Sequence, residues 1–435
     1  MRTDVYGSEV AVSADAAPLW DDALVAMLRL EDDADERLEL VRETDPGFCL
    51  GHALAAVLAS DGRDAEKAAA ALAAARASLD GASPRERSYL AAAEAHVRDG
   101  IWRAEPAWRR HNAEFPGDVV AVDPLLTCAY FGARDDAFDA ADDVTARMRA
   151  AVGDVAPVRE LLGWAAHERG RTDEAHAWAE SLLVEDARWI GAAHVHAHAF
   201  YEANDHAAGA RWIDAWSAAQ DHQSYAWHLS WHSGLHHLAL GDEADLLPRF
   251  LREMSVEPPR LSDGAMALWR YQLLGRWPAG ADPSGVVAEA ARARAQATEM
   301  LFSGWVAALG LASVGDAEAL RGLAERGATL DWPGAAELLT PFAAALAAWV
   351  EGDAAACADL LTPIAPHLDR FGGSVAQVDL LHDTYVAALA AAGRAEQALA
   401  YAGARDARRP VPVDRRLLRA DLRPAPTRGG GGGTA

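Results

Sequence analysis

One short phrase recurs along the chain and constrains the fold more than any other feature. In each copy an apolar helix end is followed by Gly with Arg or Asp, and Ala follows a few residues later. Clear copies read DGRDAEKA, ERGRTDEA, SVGDAEAL and AAGRAEQA, and EANDHAA is a weaker copy. Further copies lie at Gly100, Arg134, Gly241, Gly275 and Gly352, and successive copies of the full set are roughly 34 to 41 residues apart. This spacing predicts stacked helix–turn–helix units, because one such unit cannot bury its apolar face alone.

The residues between the copies also favour helices. Apolar residues recur at helical spacing, while alternating strand patterns and Asn-Gly hairpin turns are nearly absent. A period near 34 residues is typical of tetratricopeptide repeats. We therefore predict an all-α fold without a sheet: a right-handed tetratricopeptide-like α-α superhelix, or solenoid, of about ten helix-turn-helix repeats and about twenty helices. In each repeat, Gly or Asn would close the first helix in a left-handed turn.

Proline-rich interruptions suggest a division of the array. Glu257-Pro258-Pro259 and Trp277-Pro278 are the strongest breaks in the helical pattern. We predict an N-terminal segment at 1–16, an N-terminal helical array with the His-rich region at 17–256 and a C-terminal array at 257–405. The Arg-, Pro- and Gly-rich residues 406–435, which end GGGGGTA, are predicted to form a disordered tail.

Charge and composition exclude several classes of partner. The 435 residues carry a net charge of −25, which argues against binding to nucleic acid or to anionic lipid. No long apolar run lacks charges, and the N-terminus has no apolar leader region, so we expect a cytoplasmic protein without a membrane partner. The three cysteines are far apart, which gives neither a disulfide framework nor a thiolate metal site. The oligomeric state is left open.

Histidines concentrate in the middle of the chain and follow the repeat. Of 16 histidines, 11 lie between His167 and His237. His194 and His198 are spaced i, i+4, and 34 residues later His228 and His232 have the same spacing. The same step relates three further positions, which are Glu168, Glu202 and His236. Equivalent positions on neighbouring helices face each other, so these side chains are predicted to meet around one ligand.

Three interpretations of these histidines remain open. They can bind Zn²⁺, which accepts three or four His or carboxylate ligands. They can line a metal-free pocket and act as acid, base or hydrogen-bond donor, with Trp231 as part of an aromatic wall. They can also be structural. For the pocket, the predicted catalytic residues are His228, His232 and Glu168, and the predicted ligand-binding residues include His194, His198, His236 and Trp231.

The predicted function is binding of a small molecule in a His- and Trp-lined interior pocket. Whether the protein is an enzyme is left open, and Zn²⁺ at the histidines is the only cofactor considered. Two further functions fit the same pattern, namely a scaffold that binds a peptide in its groove and a His-ligated, metal-dependent hydrolase. Scaffold grooves commonly recognise peptide carboxylates through Lys and Arg, and Lys67 is the only lysine of this chain. This composition favours the pocket over the scaffold.

The block FGGSVAQVDLLHD marks a helix start near the C-terminus. Ser374 and Gln377 fit a capping box, as Ser83 and Glu86 do earlier in the chain. The block predicts either a well-capped helix or a helix N-terminus that presents N–H groups to a ligand. In the second case Ser374, Gln377 and Asp379 belong to the binding site. No Walker A, GxGxxG or GxSxG motif is present.

Four blocks together resemble the tetratricopeptide repeat protein 38 family. They are DPGFCLGHALAAVL, SPRERSYLAAAEAHVRDG, the His194–His198 helix with HLSWHSGLHHLALGD, and GGSVAQVD. They occur in the family's order between residues 45 and 400. The resemblance implies an α-superhelical fold with shared polar residues facing the interior. The chain departs from the family pattern at Val375 and Val378, where His and Arg are usual, and at His167, where an acidic residue is usual.

Overall fold

The computed structural model describes residues 2–220, 226–241, 261–274 and 284–409. Within these ranges the chain is almost entirely helical, which confirms the all-α prediction. The described residues differ from a sheet-free fold only by a small antiparallel hairpin of β1 (Arg2–Thr3) and β2 (Glu9–Val10). No helix among them is both long enough and apolar enough to cross a bilayer. The tetratricopeptide type and the repeat number stay predictions.

The residues form two compact units. Unit 1 comprises Met1–Tyr130, Asp136–Ala199 and Ser217–Ala226, and unit 2 comprises Phe131–Asp135, Phe200–Trp216 and Trp227–Ala435. One division between the units falls inside the helix Ile190–Glu202, after Ala199. The first eleven helices are α1 Ala17–Leu28, α2 Ala34–Thr44, α3 Cys49–Asp61, α4 Ala65–Ala77, α5 Pro84–Asp99, α6 Ile101–Glu114, α7 Val122–Phe131, α8 Ala137–Val152, α9 Ala156–Glu168, α10 Thr172–Glu185 and α11 Ile190–Glu202.

The remaining described helices follow in chain order. They are α12 His206–Ala218, α13 Ala226–Leu240, α14 Leu261–Leu273, α15 Ser284–Gln296, α16 Leu301–Ser313, α17 Ala317–Gly327, α18 Thr340–Val350, α19 Ala354–Leu361, α20 Val375–Ala391 and α21 Ala395–Arg408. Short 3₁₀ turns cover Leu79–Gly81, Val119–Ala121 and Ala365–Phe371, and a π-helical turn, Ala335–Leu339, precedes α18.

Helix packing inside each unit follows a repeating order. In unit 1, α1 packs on α2, α3 on α4, α5 on α6 and α9 on α10, and α3 also packs on α5. In unit 2, successive helices from α17 to α21 pack in order, and α16 packs on both α14 and α18. Contacts to the next helix and to the next but one are what a helical solenoid produces. Each unit has its own apolar core, with Trp20 and Trp108 in unit 1 and Trp269 and Trp305 in unit 2.

The recurring phrase ends helices as predicted in most described copies. Gly170, Gly315 and Gly393 have φ of +69°, +76° and +74°, and Asn204 has φ of +56°. The first copy differs from the prediction, because Gly62 is right-handed with φ of −73° and the next residue, Arg63, takes φ of +63°. The chain therefore reverses one residue later there.

One predicted helix start is confirmed, whereas the predicted boundary of the two arrays stays a prediction. Ser83 and Glu86 form the predicted capping box at the start of α5. The proline breaks at 257–259 and 277–278 lie outside the described residues, so the predicted boundary of the arrays stays a prediction. Helix α21 continues to Arg408, inside the segment 406–435 that was predicted to be disordered. The residues of that tail from 410 onward lie outside the described ranges.

Candidate functional site: buried histidine clusters

A hydrogen-bonded His–Asp pair lies in the interior of unit 2. His228 on α13 donates from Nδ1 to Oδ2 of Asp263 on α14, across 2.9 Å. Its other ring nitrogen, Nε2, lies 3.2 Å from Nε2 of His232, one turn further along α13. All three side chains are buried. The carboxylate fixes the ring orientation of His228 and places a proton on Nδ1, so Nε2 carries the lone pair.

Trp231 completes this cluster on one side. Its ring stacks on the ring of His228, with centroids 5.3 Å apart and planes 15° apart. Trp231 Nε1 and Asp263 Oδ1 are buried, and neither has a hydrogen-bond partner in the described part of the chain. A buried donor and a buried acceptor beside an oriented imidazole are suited to a polar ligand, because leaving them unsatisfied costs free energy.

His236, the third histidine of the α13 row, lies against α12. Its Nδ1 is 3.1 Å from Nδ1 of His206, and both rings are buried. Burial lowers the pKa of His206 to about 4, so that imidazole is neutral at neutral pH. The structure thus brings His236 together with a histidine that the sequence analysis did not select.

The earlier histidine row forms a second cluster, inside unit 1. Nε2 of His194 and Nε2 of His198 lie 3.0 Å apart on α11. The ring of His198 stacks on that of His167, with centroids 4.5 Å apart and planes 9° apart. Burial lowers the pKa of His167 to about 4. Trp164, one turn before His167 on α9, contacts all three rings.

Glu168 follows His167 at the end of α9 and is also buried. Its Oε1 lies 3.9 Å from Nδ1 of His167. Its predicted catalytic role stays a prediction. The predicted meeting of the two histidine rows also stays a prediction, since His194 and His198 belong to unit 1 and His228 and His232 to unit 2.

The start of α20 is well capped, as predicted. The backbone N–H of Ser374 donates to Oε1 of Gln377 across 2.9 Å, and the Ser374 hydroxyl lies 3.4 Å from the same oxygen. Ser374 and Gln377 therefore act as helix caps. A role of these two residues in ligand binding stays a prediction.

Asp379 forms the centre of a buried charge network. It accepts hydrogen bonds from Tyr201 at 3.1 Å, from Arg405 at 3.0 Å and from Arg409. Arg405 also pairs with Asp383 at 3.0 Å. Burial opposes ionisation of Asp379, but the guanidinium groups of Arg409 and Arg405 hold the pKa of this carboxyl well below its usual range. The predicted ligand residue therefore already has three partners from the protein.

Two buried residues of unit 2 that the sequence analysis missed continue the repeat. Asp263 lies 35 residues after His228, and Arg270 lies 34 residues after His236. Arg270 thus extends the series Glu168, Glu202 and His236 by one repeat. The signal was present in the spacing, but the residue type changes from one copy to the next. A search confined to histidine and tryptophan therefore does not find Asp263 or Arg270.

No protein-family model matches this chain, and no curated protein matches it. The resemblance to the tetratricopeptide repeat protein 38 family stays a prediction, and the site has to be interpreted from its own chemistry.

Proposed function

We propose that the protein binds a small organic molecule in the interior of unit 2 and performs acid–base chemistry on it, with His228 as the base. The observation that carries this proposal is the 2.9 Å hydrogen bond from His228 Nδ1 to Asp263. A carboxylate on one ring nitrogen holds the tautomer, orients the ring and stabilises the imidazolium that forms when Nε2 takes a proton. Trp231 supplies an apolar wall beside this nitrogen.

His232 is the acid partner in this proposal. Its Nε2 lies 3.2 Å from the Nε2 of His228, close enough for one nitrogen to donate to the other. A ligand hydroxyl or water at this position would meet one ring that accepts a proton and one ring that donates a proton. In this proposal His228 and His232 have the catalytic roles predicted from the sequence, and Asp263 positions His228.

A second candidate function is metal binding at the same two histidines. Two Zn–N bonds of ~2.0–2.1 Å at a tetrahedral angle separate the nitrogens by about 3.3 Å, and the two Nε2 atoms lie 3.2 Å apart. A carboxylate on the far nitrogen of a ligating histidine, as Asp263 is placed, is common at zinc sites. His228 and His232 would supply two metal ligands, and Asp263 would orient His228 through a hydrogen bond. A metal bound there would act as a Lewis acid.

The test uses hydrolysis of p-nitrophenyl acetate as a probe that needs no knowledge of the natural ligand. We expect His228→Gln and Asp263→Asn to lower the rate by about 10²-fold, because each removes the oriented base. His367→Gln is the matched control, since His367 is an exposed histidine. Equal rates for the wild type, His228→Gln and Asp263→Asn would contradict the proposal.

Elemental analysis of the same proteins separates the two candidates. Metal that is stoichiometric in the wild type and in His367→Gln, but lost from His228→Gln, would favour the metal site. A metal-free wild type that still hydrolyses the probe through His228 would favour the metal-free base.

A further inference from the structure

Arg270 of α14 is a buried cation without a carboxylate partner among the described residues. Its side chain is 3% exposed. Nη2 donates to the carbonyl oxygen of Ala376, at the start of α20, across 2.5 Å. Nη1 is buried and has no hydrogen-bond partner in the described ranges. Burying a guanidinium without a counter-charge is costly, so such a group is retained where an anion binds to it.

Two described carboxylates that act on the same buried region are already neutralised by other groups. The charge of Arg270 acts on Tyr201, together with the charges of Asp379, Arg409 and Asp383. Both aspartates pair with Arg405, and Asp379 also pairs with Arg409. Each of these two carboxylates thus already pairs with a guanidinium group other than that of Arg270.

Glu202 is a further buried carboxyl of this region. Burial raises its pKa well above the usual range, although Arg409 opposes this shift. Burial therefore opposes the negative charge that Glu202 could offer to a neighbouring cation.

Arg270 lies on the same face of α14 as Asp263. The two residues are seven positions apart, which is two helical turns or about 10 Å along the axis. His228 and Trp231 lie at the Asp263 end of this face, and the guanidinium group of Arg270 lies at the other end. One face of α14 therefore carries, two turns apart, a cation and the carboxylate that holds the base His228, and a small molecule can span this separation.

We propose that Arg270 binds the carboxylate of a small-molecule monocarboxylate whose other end lies at His228. This proposal rests on the proposed function, because it names the substrate class of the same site. A carboxylate carries one negative charge, which matches the single charge of Arg270, whereas a phosphate monoester carries close to two negative charges at neutral pH. A carboxylate also suits the planar donors of a guanidinium.

The test measures the thermal unfolding midpoint of the full chain with straight-chain monocarboxylates of four to ten carbons. Octanoate and its neighbours in length are the main probes, and octanamide and octyl phosphate are the comparisons. We expect a fitting carboxylate, at about 100 times its dissociation constant, to raise the midpoint by a few degrees. Octanamide should give no shift, because it lacks the charge.

Arg270→Met should abolish the shift and should raise the midpoint of the unliganded protein, because it removes a buried charge that no described carboxylate offsets. Arg405→Met is the matched control, since Arg405 is equally buried but pairs with Asp379 and Asp383. That variant should lower the midpoint. Arg270→Lys keeps the charge and should keep part of the shift, which preserves the test if the Met variant does not fold.

Three results would overturn the carboxylate site. They are equal carboxylate shifts in the wild type and Arg270→Met, shifts by octyl phosphate but by no carboxylate, and no shift by any chain length. His228→Gln distinguishes this proposal from the proposed function, because it should lose p-nitrophenyl acetate hydrolysis and keep the carboxylate shift.

Discussion

Gly209 on α12 leaves room for the imidazole of His236. A Cβ at Gly209 would lie 2.5 Å from Cε1 and 2.6 Å from Nε2 of that ring. His236 cannot retreat without disturbing its contact with His206. A small residue on one helix is thus matched to a large polar ring on the next.

Gly209→Ala should therefore lower the free energy of unfolding, by about 1–3 kcal/mol, since the added methyl group overpacks a buried contact. Gly322→Ala is the control, because Gly322 is an exposed residue inside α17 and no described atom outside its own helix turn lies within 4 Å of its Cβ position. The control should gain up to about 1 kcal/mol from helix propensity. Equal effects of the two substitutions in chemical denaturation would contradict the packing argument.

Residue by residue, the sequence predicted the buried histidines better than their partners. The i, i+4 spacing on one helix was enough to predict that His228 and His232 would lie side by side. The bond to Asp263 was not predicted, because it joins two helices and depends on a spacing of 35 residues rather than 34. The histidine pair follows from the geometry of one helix, whereas its carboxylate comes from a separate helix, α14.

Among elements, the turn after α3 differs from the turn after α20. Arg63 has φ of +63° after α3, and Gly393 has φ of +74° after α20. Both positions belong to the recurring phrase that predicted the helix ends. The phrase fixes where each helix stops, but it does not specify which of two adjacent residues takes the left-handed conformation.

Exchanging the residue types at these two turns should have opposite effects. Arg63→Gly should stabilise the fold by up to about 1 kcal/mol, since a left-handed conformation is strained for a residue with a Cβ. Gly393→Arg should destabilise it by about 1 kcal/mol, and no described atom lies within 4 Å of the Cβ position at Gly393 to add a clash. Changes of the same sign in urea denaturation would show that side-chain contacts, rather than backbone strain, govern these turns.

At the scale of the whole molecule, the composition of the interior makes stability depend on pH. Burial lowers the pKa of His167 to about 4 and that of His196 to about 3. Burial acts in the opposite direction on a carboxyl in the same unit, because it raises the pKa of Glu160 to about 7 although Trp189 donates a hydrogen bond to it. Between about pH 5 and pH 6 the folded chain therefore holds both neutral imidazoles and a neutral carboxyl.

The sign of each contribution follows from which state binds more protons. Between pH 6.5 and about 4 the unfolded chain protonates His167 while the folded chain does not, so stability is lost as the pH falls. For Glu160 the folded state holds the proton between the ordinary value of 4.5 and about 7, so stability is lost as the pH rises through that range. His167 and Glu160 thus oppose each other within unit 1.

We predict opposite pH profiles for His167→Gln and Glu160→Gln. Relative to the wild type, His167→Gln should become more stable by about 2–3 kcal/mol between pH 7.5 and pH 4.5, because glutamine takes up no proton on unfolding. Glu160→Gln should instead gain relative stability as the pH rises from 4.5 to 8, since its amide can still accept the hydrogen bond from Trp189 and never ionises. Urea denaturation at several pH values measures both. A difference from the wild type that is independent of pH would show that the replaced group has the same pKa in the folded and unfolded chain, contrary to its burial.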